Sequence, residues 1–125
     1  MEEVVTSQQL KNPENVARGR RSKLRGRKRE LRCAEANQVL GFTTIVSSGS
    51  HGPFDVVCFP QKGIEVSPTF SAIKLIQVKS MYPSQKEIKE LLEAFHKLNC
   101  KAVFEVWVYE YKAKRPKVYV ITRND

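Results

Sequence analysis

Hydrophobic and polar positions change their period several times along this chain, and each change marks an element. Residues 1–22 carry no apolar period, are broken by Pro13 and end in Arg18-Gly19-Arg20-Arg21, which predicts a flexible basic arm. Over 28–40 helix formers dominate, Leu31, Cys33, Ala34 and Val39 supply a stripe for burial, and Gly41 is a natural C-terminal stop. A first helix is predicted there, with Glu30 in its first turn. Residues 42–46 are β-branched and aromatic, and 54–59 form a short apolar run ended by Pro60. These predict two strands around a Ser/Gly-rich loop that contains Ser48, Ser50 and His51. A third strand is expected over 72–78. Ser84 and Glu87 then make an S-x-x-E capping box ahead of Ile88, Leu91, Leu92 and Phe95 at helical spacing, a second helix closed by Asn99. Alternation over 101–110 and 117–121, around the basic turn at 112–116, predicts a closing antiparallel pair. The order is αβββαββ, an α/β fold with helices packed on a mixed sheet.

Composition sharpens the picture. With 125 residues at 41% hydrophobic the chain has room for one domain and its core, here residues 23–125. The formal charge is +9, and between Arg18 and Arg32 the cations Arg18, Arg20, Arg21, Lys23, Arg25, Arg27, Lys28, Arg29 and Arg32 face one acid, Glu30. So concentrated a run condenses onto a phosphate backbone and releases counterions, so nucleic acid is the favoured partner. Its flanks lack the broad apolar face that would seat it on a membrane, and no long apolar run suggests a signal peptide or a span. Cys33, Cys58 and Cys100 are widely spaced with no C-x-x-C pair, which argues against a disulfide framework or structural zinc and for a reducing cytoplasm.

The candidate chemistry lies at element ends. Glu30 and Asp55 are hard oxygen donors, the Gln77 amide oxygen and the Val78 carbonyl extend that set, and Lys79 suits the neighbourhood of a phosphate. Strand alternation sends Gln77 and Lys79 to one face and Ile76 and Val78 to the other. By itself Asp55 reads as a turn residue; its position one hairpin ahead of Gln77-Val78-Lys79 makes the combination specific. Glu35 is a rival acid on the same helix. Trp107 and Tyr109, sharing a strand face with Glu105, suggest an aromatic interface between two copies of the chain.

Arg25-Gly26-Arg27-Lys28-Arg29-Glu30, the Leu40-Gly41-Phe42 junction, Ser48-Gly49-Ser50, Phe54-Asp55-Val56-Val57 and Ile76-Gln77-Val78-Lys79-Ser80 follow one another over residues 25–121. In this order they resemble the archaeal-type Holliday junction resolvases of the PD-(D/E)XK nuclease superfamily. The resemblance implies a restriction-endonuclease-like sheet flanked by helices. It further implies a Mg²⁺-dependent endodeoxyribonuclease in which Mn²⁺ substitutes, acting as a homodimer on four-way DNA junctions. Carried over by position, the catalytic set is Glu30, Asp55, Gln77, Lys79 and a loop serine, Ser48 or Ser50, with metal held by Glu30, Asp55, Gln77 and Val78. Its spacing from the acid to the Gly-Phe pair selects Glu30 over Glu35. Two positions depart from the pattern: Phe54 stands where proline is usual, and Gln77 replaces a glutamate and so removes one anionic ligand. Two alternatives stay open, a nuclease of the same fold acting on other DNA in repair or restriction, and a non-catalytic basic nucleic-acid-binding protein.

Overall fold

The computed structural model describes residues 13–47, 52–61 and 72–124; within the first helix, side chains are described from Arg20 onward, Ser22 excepted. These residues form an α/β structure of two helices and a five-stranded mixed sheet. The elements are α1 (Pro13–Val39), β1 (Phe42–Val46), β2 (Val56–Pro60), β3 (Ile73–Lys79), α2 (Gln85–His96), β4 (Ala102–Val108) and β5 (Lys117–Asn124). Spatial order in the sheet follows chain order, β1-β2-β3-β4-β5. All neighbours are antiparallel except β3 and β4, which run parallel with α2 as their crossover. Among the described residues no helix is long and apolar enough to cross a membrane.

The first helix departs from expectation at both its start and its buried face. It begins at Pro13 rather than at residue 28, so 13–22, expected within a flexible arm, are helical. A proline at the first helical position costs no intrahelical hydrogen bond, because that N–H has no partner in any helix. The buried positions are Cys33, Ala34 and Asn37, whereas Leu31 is 42% and Val39 88% exposed. Leu31 and Val39 therefore do not belong to the stripe. Gly41, at φ 101°, turns the chain into β1 in a conformation that a side chain would resist.

Strand alternation divides the core between the two faces of the sheet. Cys33 and Ala34 of α1 pack with Phe42, Val56, Cys58, Ile76, Val78, Trp107 and Tyr109. On the other face Leu91 and Phe95 of α2 pack with Leu75, Phe104, Val106 and Val108. Trp107 and Tyr109 are 5% and 4% exposed, so they belong to the core under α1 and form no surface for a second copy. Exposed apolar groups lie instead on the edge strand β5, at Val118, Tyr119 and Val120, where Tyr119 meets Tyr82 edge to face at 4.8 Å.

A charged cluster crosses the α1 side of this core. Lys74 of β3 is buried with Glu105 of β4; its Nζ lies 3.6 Å from Glu105 Oε1 and donates to Asn37 Oδ1 of α1 at 3.0 Å. Trp107 Nε1 donates to the same Glu105 oxygen at 2.8 Å, and the ammonium sits 4.5 Å from the centroid of the Phe42 ring. Pairing and hydrogen bonding compensate the loss of hydration that burial imposes on two charges. The Cys33 and Cys58 thiols lie alongside, free and buried, and desolvation pushes Cys58 up to about 12.

Candidate active site

Three elements converge where β3 ends and β2 begins. Val56 pairs with Ile76, and extending the antiparallel register by one residue sets Asp55 opposite Gln77. Backbone hydrogen bonds hold this junction: Asp55 N–H donates to the Ile76 carbonyl at 2.9 Å, and Ser47 N–H donates to the Asp55 carbonyl at 2.8 Å. The Asp55 carboxylate is fixed as well, because its Oδ2 accepts from Val78 N–H at 2.9 Å. Val78 therefore meets the site through its backbone while its side chain enters the core on the α1 face.

Glu30 approaches from α1. Its carboxyl is pushed up from the ordinary 4.5, first by burial and then by the negative charge of Asp55, with Arg27 and Arg29 opposing. Asp55 is itself raised from 3.8 by burial, against the Val78 hydrogen bond and the charge of Lys79. Two carboxyls that both lose water and sit within each other's field hold their protons more tightly than free acids do. A cation placed between them would reverse that tendency. Glu35, the rival acid, is exposed and takes no part.

Gln77 and Lys79 lie on the α2 face of β3, as alternation requires. Lys79 Nζ forms an ion pair with Glu87 Oε2 of α2 at 2.8 Å. Glu87 is thus tied to the candidate lysine, a link that the sequence pattern concealed because the capping box accounted for it. The cap itself forms, with Ser84 Oγ accepting from Glu87 N–H at 3.2 Å, but the Glu87 carboxylate is directed to Lys79. Gln77 Oε1 is buried and, among the described residues, is the one buried side-chain oxygen or nitrogen with no hydrogen-bond partner. An acceptor left in that state costs about 1–3 kcal/mol, and native structures keep few of them without a reason.

The oxygen donors fit a hard divalent cation in kind: two carboxylates, one amide oxygen without a partner, and a nearby lysine to balance an anionic substrate. Among the described residues no group of three or more His, Cys, Asp and Glu forms, so the amide would have to supply the third side-chain donor. Comparisons with known proteins by family model, by curated sequence and by solved structure find no match. The reading of this site therefore rests on its own geometry.

The remaining expected site residues divide. Ser48 and Ser50 lie outside the described residues, as does the Arg18 side chain. Arg20, Arg21, Lys23, Arg25, Arg27, Lys28 and Arg32 are all exposed along α1, with Arg29 half-buried, so the cations line a continuous helix that ends at the core. Extended straight, its 27 residues would span about 40 Å at 1.5 Å each.

Proposed function

We propose that this protein is a metal-dependent, structure-selective DNA endonuclease that resolves four-way junctions. The observation that carries this reading is the partnerless Gln77 oxygen, buried on the strand that also carries Lys79 and opposite Asp55. A Mg²⁺ ion, or Mn²⁺ in its place, would be held by Glu30, Asp55, Gln77 and the Val78 carbonyl. When bound, such an ion supplies charge neutralisation and activation of water for phosphodiester hydrolysis.

The protein's own residues do the rest. Asp55 is oriented by the Val78 N–H before any substrate arrives, so one donor of the site needs no reorganisation. Lys79, held by Glu87, sets a positive charge where the scissile phosphate gathers negative charge in the transition state. Glu87 is a positioning residue here, acting through Lys79. The exposed cations of α1 would bind backbone phosphates, which fixes register and orientation without reading bases. Selectivity then comes from the shape of the DNA. A two-fold dimer would present two such sites to the two equivalent strands of a junction. Such a dimer would not use Trp107 and Tyr109, which are buried, and would have the exposed Val118 and Val120 of β5 to pair through.

The test is cleavage of an immobile four-way junction against linear duplex of the same arms, with Mg²⁺ and with chelator. Paired, symmetric, Mg²⁺-dependent cuts that disappear in Asp55→Asn and Lys79→Ala, with junction binding retained, are expected. Equal cutting of duplex would transfer the site to another DNA nuclease. Binding with no cleavage in any metal would leave a non-catalytic nucleic-acid-binding protein.

A further inference from the structure

A second feature lies next to this site and was not legible as one in the sequence. Between α1 and the β4–β5 turn runs a groove of about 530 Å³, walled by Arg25, Lys28 and Arg32 on the helix and by Tyr109, Tyr111 and Lys112 on the turn. The two walls are tied together. Arg32 lays its guanidinium 4.7 Å from the centroid of the Tyr109 ring and donates from Nη2 to the Lys114 carbonyl at 3.3 Å. Ser80, which follows Lys79, also lines the groove, and Tyr109 N–H donates to the Lys79 carbonyl at 2.8 Å. The groove therefore opens beside the end of the strand that carries the candidate catalytic lysine.

Its two tyrosines differ in kind. Tyr109 is a core residue, whereas Tyr111 is 86% exposed at the tip of the turn and offers a free aromatic face. Lys112 takes a left-handed φ of 62°, Ala113 N–H closes the turn onto the Glu110 carbonyl at 3.0 Å, and the Lys112 ammonium stands 5.4 Å from the Tyr111 ring centroid. Glu110 is the acid of the lining, and its charge is offset by an ion pair with Lys117 at 2.6 Å. A positively charged groove with an exposed aromatic ring is the arrangement that tracks a single strand, because phosphates follow the cations while a base stacks on the ring. Inside a duplex, both faces of each base are already covered by its neighbours. A ring at the lip of the groove finds a free base face only where bases are unstacked, as at a branch point or an unpaired end.

We propose that this groove binds an unpaired stretch of DNA, with Tyr111 as the stacking platform and Lys112 as a phosphate contact. The inference rests on reading the basic face as a DNA-binding surface and adds the class of strand it selects. The β4–β5 turn thereby becomes a determinant of substrate choice.

The experiment is fluorescence anisotropy of the full chain in chelator, with a labelled oligo-dT strand and with a fully paired duplex of equal length. Tyr111→Ala is expected to weaken single-strand binding on the order of tenfold while duplex binding stays unchanged, and Tyr111→Phe is expected to keep wild-type affinity. Lys112→Ala is expected to lower the slope of log K against log salt on the single strand by about 0.7. Tyr111 is exposed, so its replacement does not disturb the core. An unchanged affinity of Tyr111→Ala for the single strand, or an equal loss on strand and duplex, would overturn the proposal. Because the assay contains no metal, its result is independent of cleavage: salt-sensitive duplex binding with a silent Tyr111→Ala removes the groove and leaves the nuclease reading standing. A selective loss in a protein that never cuts DNA does the reverse.

Discussion

Under the proposed metal ligation, Gln77→Leu is expected to make the metal-free protein more stable and to abolish junction cleavage. The wild-type side chain buries Oε1 without a partner, at a cost of about 1–3 kcal/mol that leucine, similar in size, does not incur. Unfolding entropy of about 2.1 cal/mol/K per residue over 125 residues gives about 0.26 kcal/mol/K, so each kcal/mol moves Tm by about 4 °C. A gain of about 1–3 kcal/mol therefore appears as a rise of about 4–12 °C in chelator. Mg²⁺ at a hundred times its dissociation constant should stabilise the wild type by about 2.7 kcal/mol, or roughly 10 °C, and Gln77→Leu should show a much smaller shift. Gln77→Glu is expected to behave oppositely, less stable in chelator because it adds a negative charge opposite Asp55, and more strongly stabilised by Mg²⁺. Calorimetry of the three proteins with and without Mg²⁺, together with junction cleavage, checks the set. A leucine variant that melts lower than wild type in chelator yet keeps the full Mg²⁺ shift would show that the amide oxygen serves the fold and not an ion.

Two further outcomes follow from buried charge. The Glu30 and Asp55 carboxyls are raised above 4.5 and 3.8, so over the window that begins there the native state binds more protons than the unfolded chain, and their contribution to stability falls as pH rises through it. Metal-free Asp55→Asn should accordingly exceed wild type in urea resistance at pH 7 and lose that advantage below pH 3.8; an advantage independent of pH would contradict the linkage. For the Lys74–Glu105 pair, Lys74→Met or Glu105→Leu alone should cost about 3–5 kcal/mol by stranding its partner, whereas the double variant should recover most of the loss. Additive losses in that double-mutant cycle would mean that the two charges do not act as a pair.

Much of the sheet was legible because each strand is a short β-branched or aromatic run between turn residues, and such runs leave little choice of period. The helix start was not. Residues 13–27 carry Gly19, Gly26 and a crowd of cations, and Leu24 is the one large apolar side chain after Val16, so no apolar stripe announced a helix there. The buried face was misread for a related reason. Counting apolar residues selected Leu31 and Val39, but position 37, one turn after Cys33, is filled by an asparagine whose partner is a lysine on β3. Nothing near Lys74 in the chain marks it as buried, since its compensation comes from Glu105, across the parallel β3–β4 pairing, and from α1. Glu30, Asp55, Gln77 and Lys79 could be singled out because their chemistry and spacing agree, whereas Glu87 had a sufficient local explanation as a cap. Trp107 and Tyr109 looked like surface aromatics because one face of their strand was expected to meet solvent, whereas α1 covers that face as α2 covers the other.

The buried lysine also bears on the route by which the chain reaches this structure. Lys74 and Glu105 lie on neighbouring strands that become adjacent only when α2 has carried the chain from β3 to β4, and Asn37 reaches the ammonium only when α1 lies down on the sheet. Docking α1 onto a sheet that lacks β4 would bury a positive charge without its counter-ion, at a penalty large enough to favour the alternative order. The sequence-distant half of the sheet should therefore assemble before the N-terminal helix settles. Glu30 would then be brought to Asp55 in one of the last events of folding.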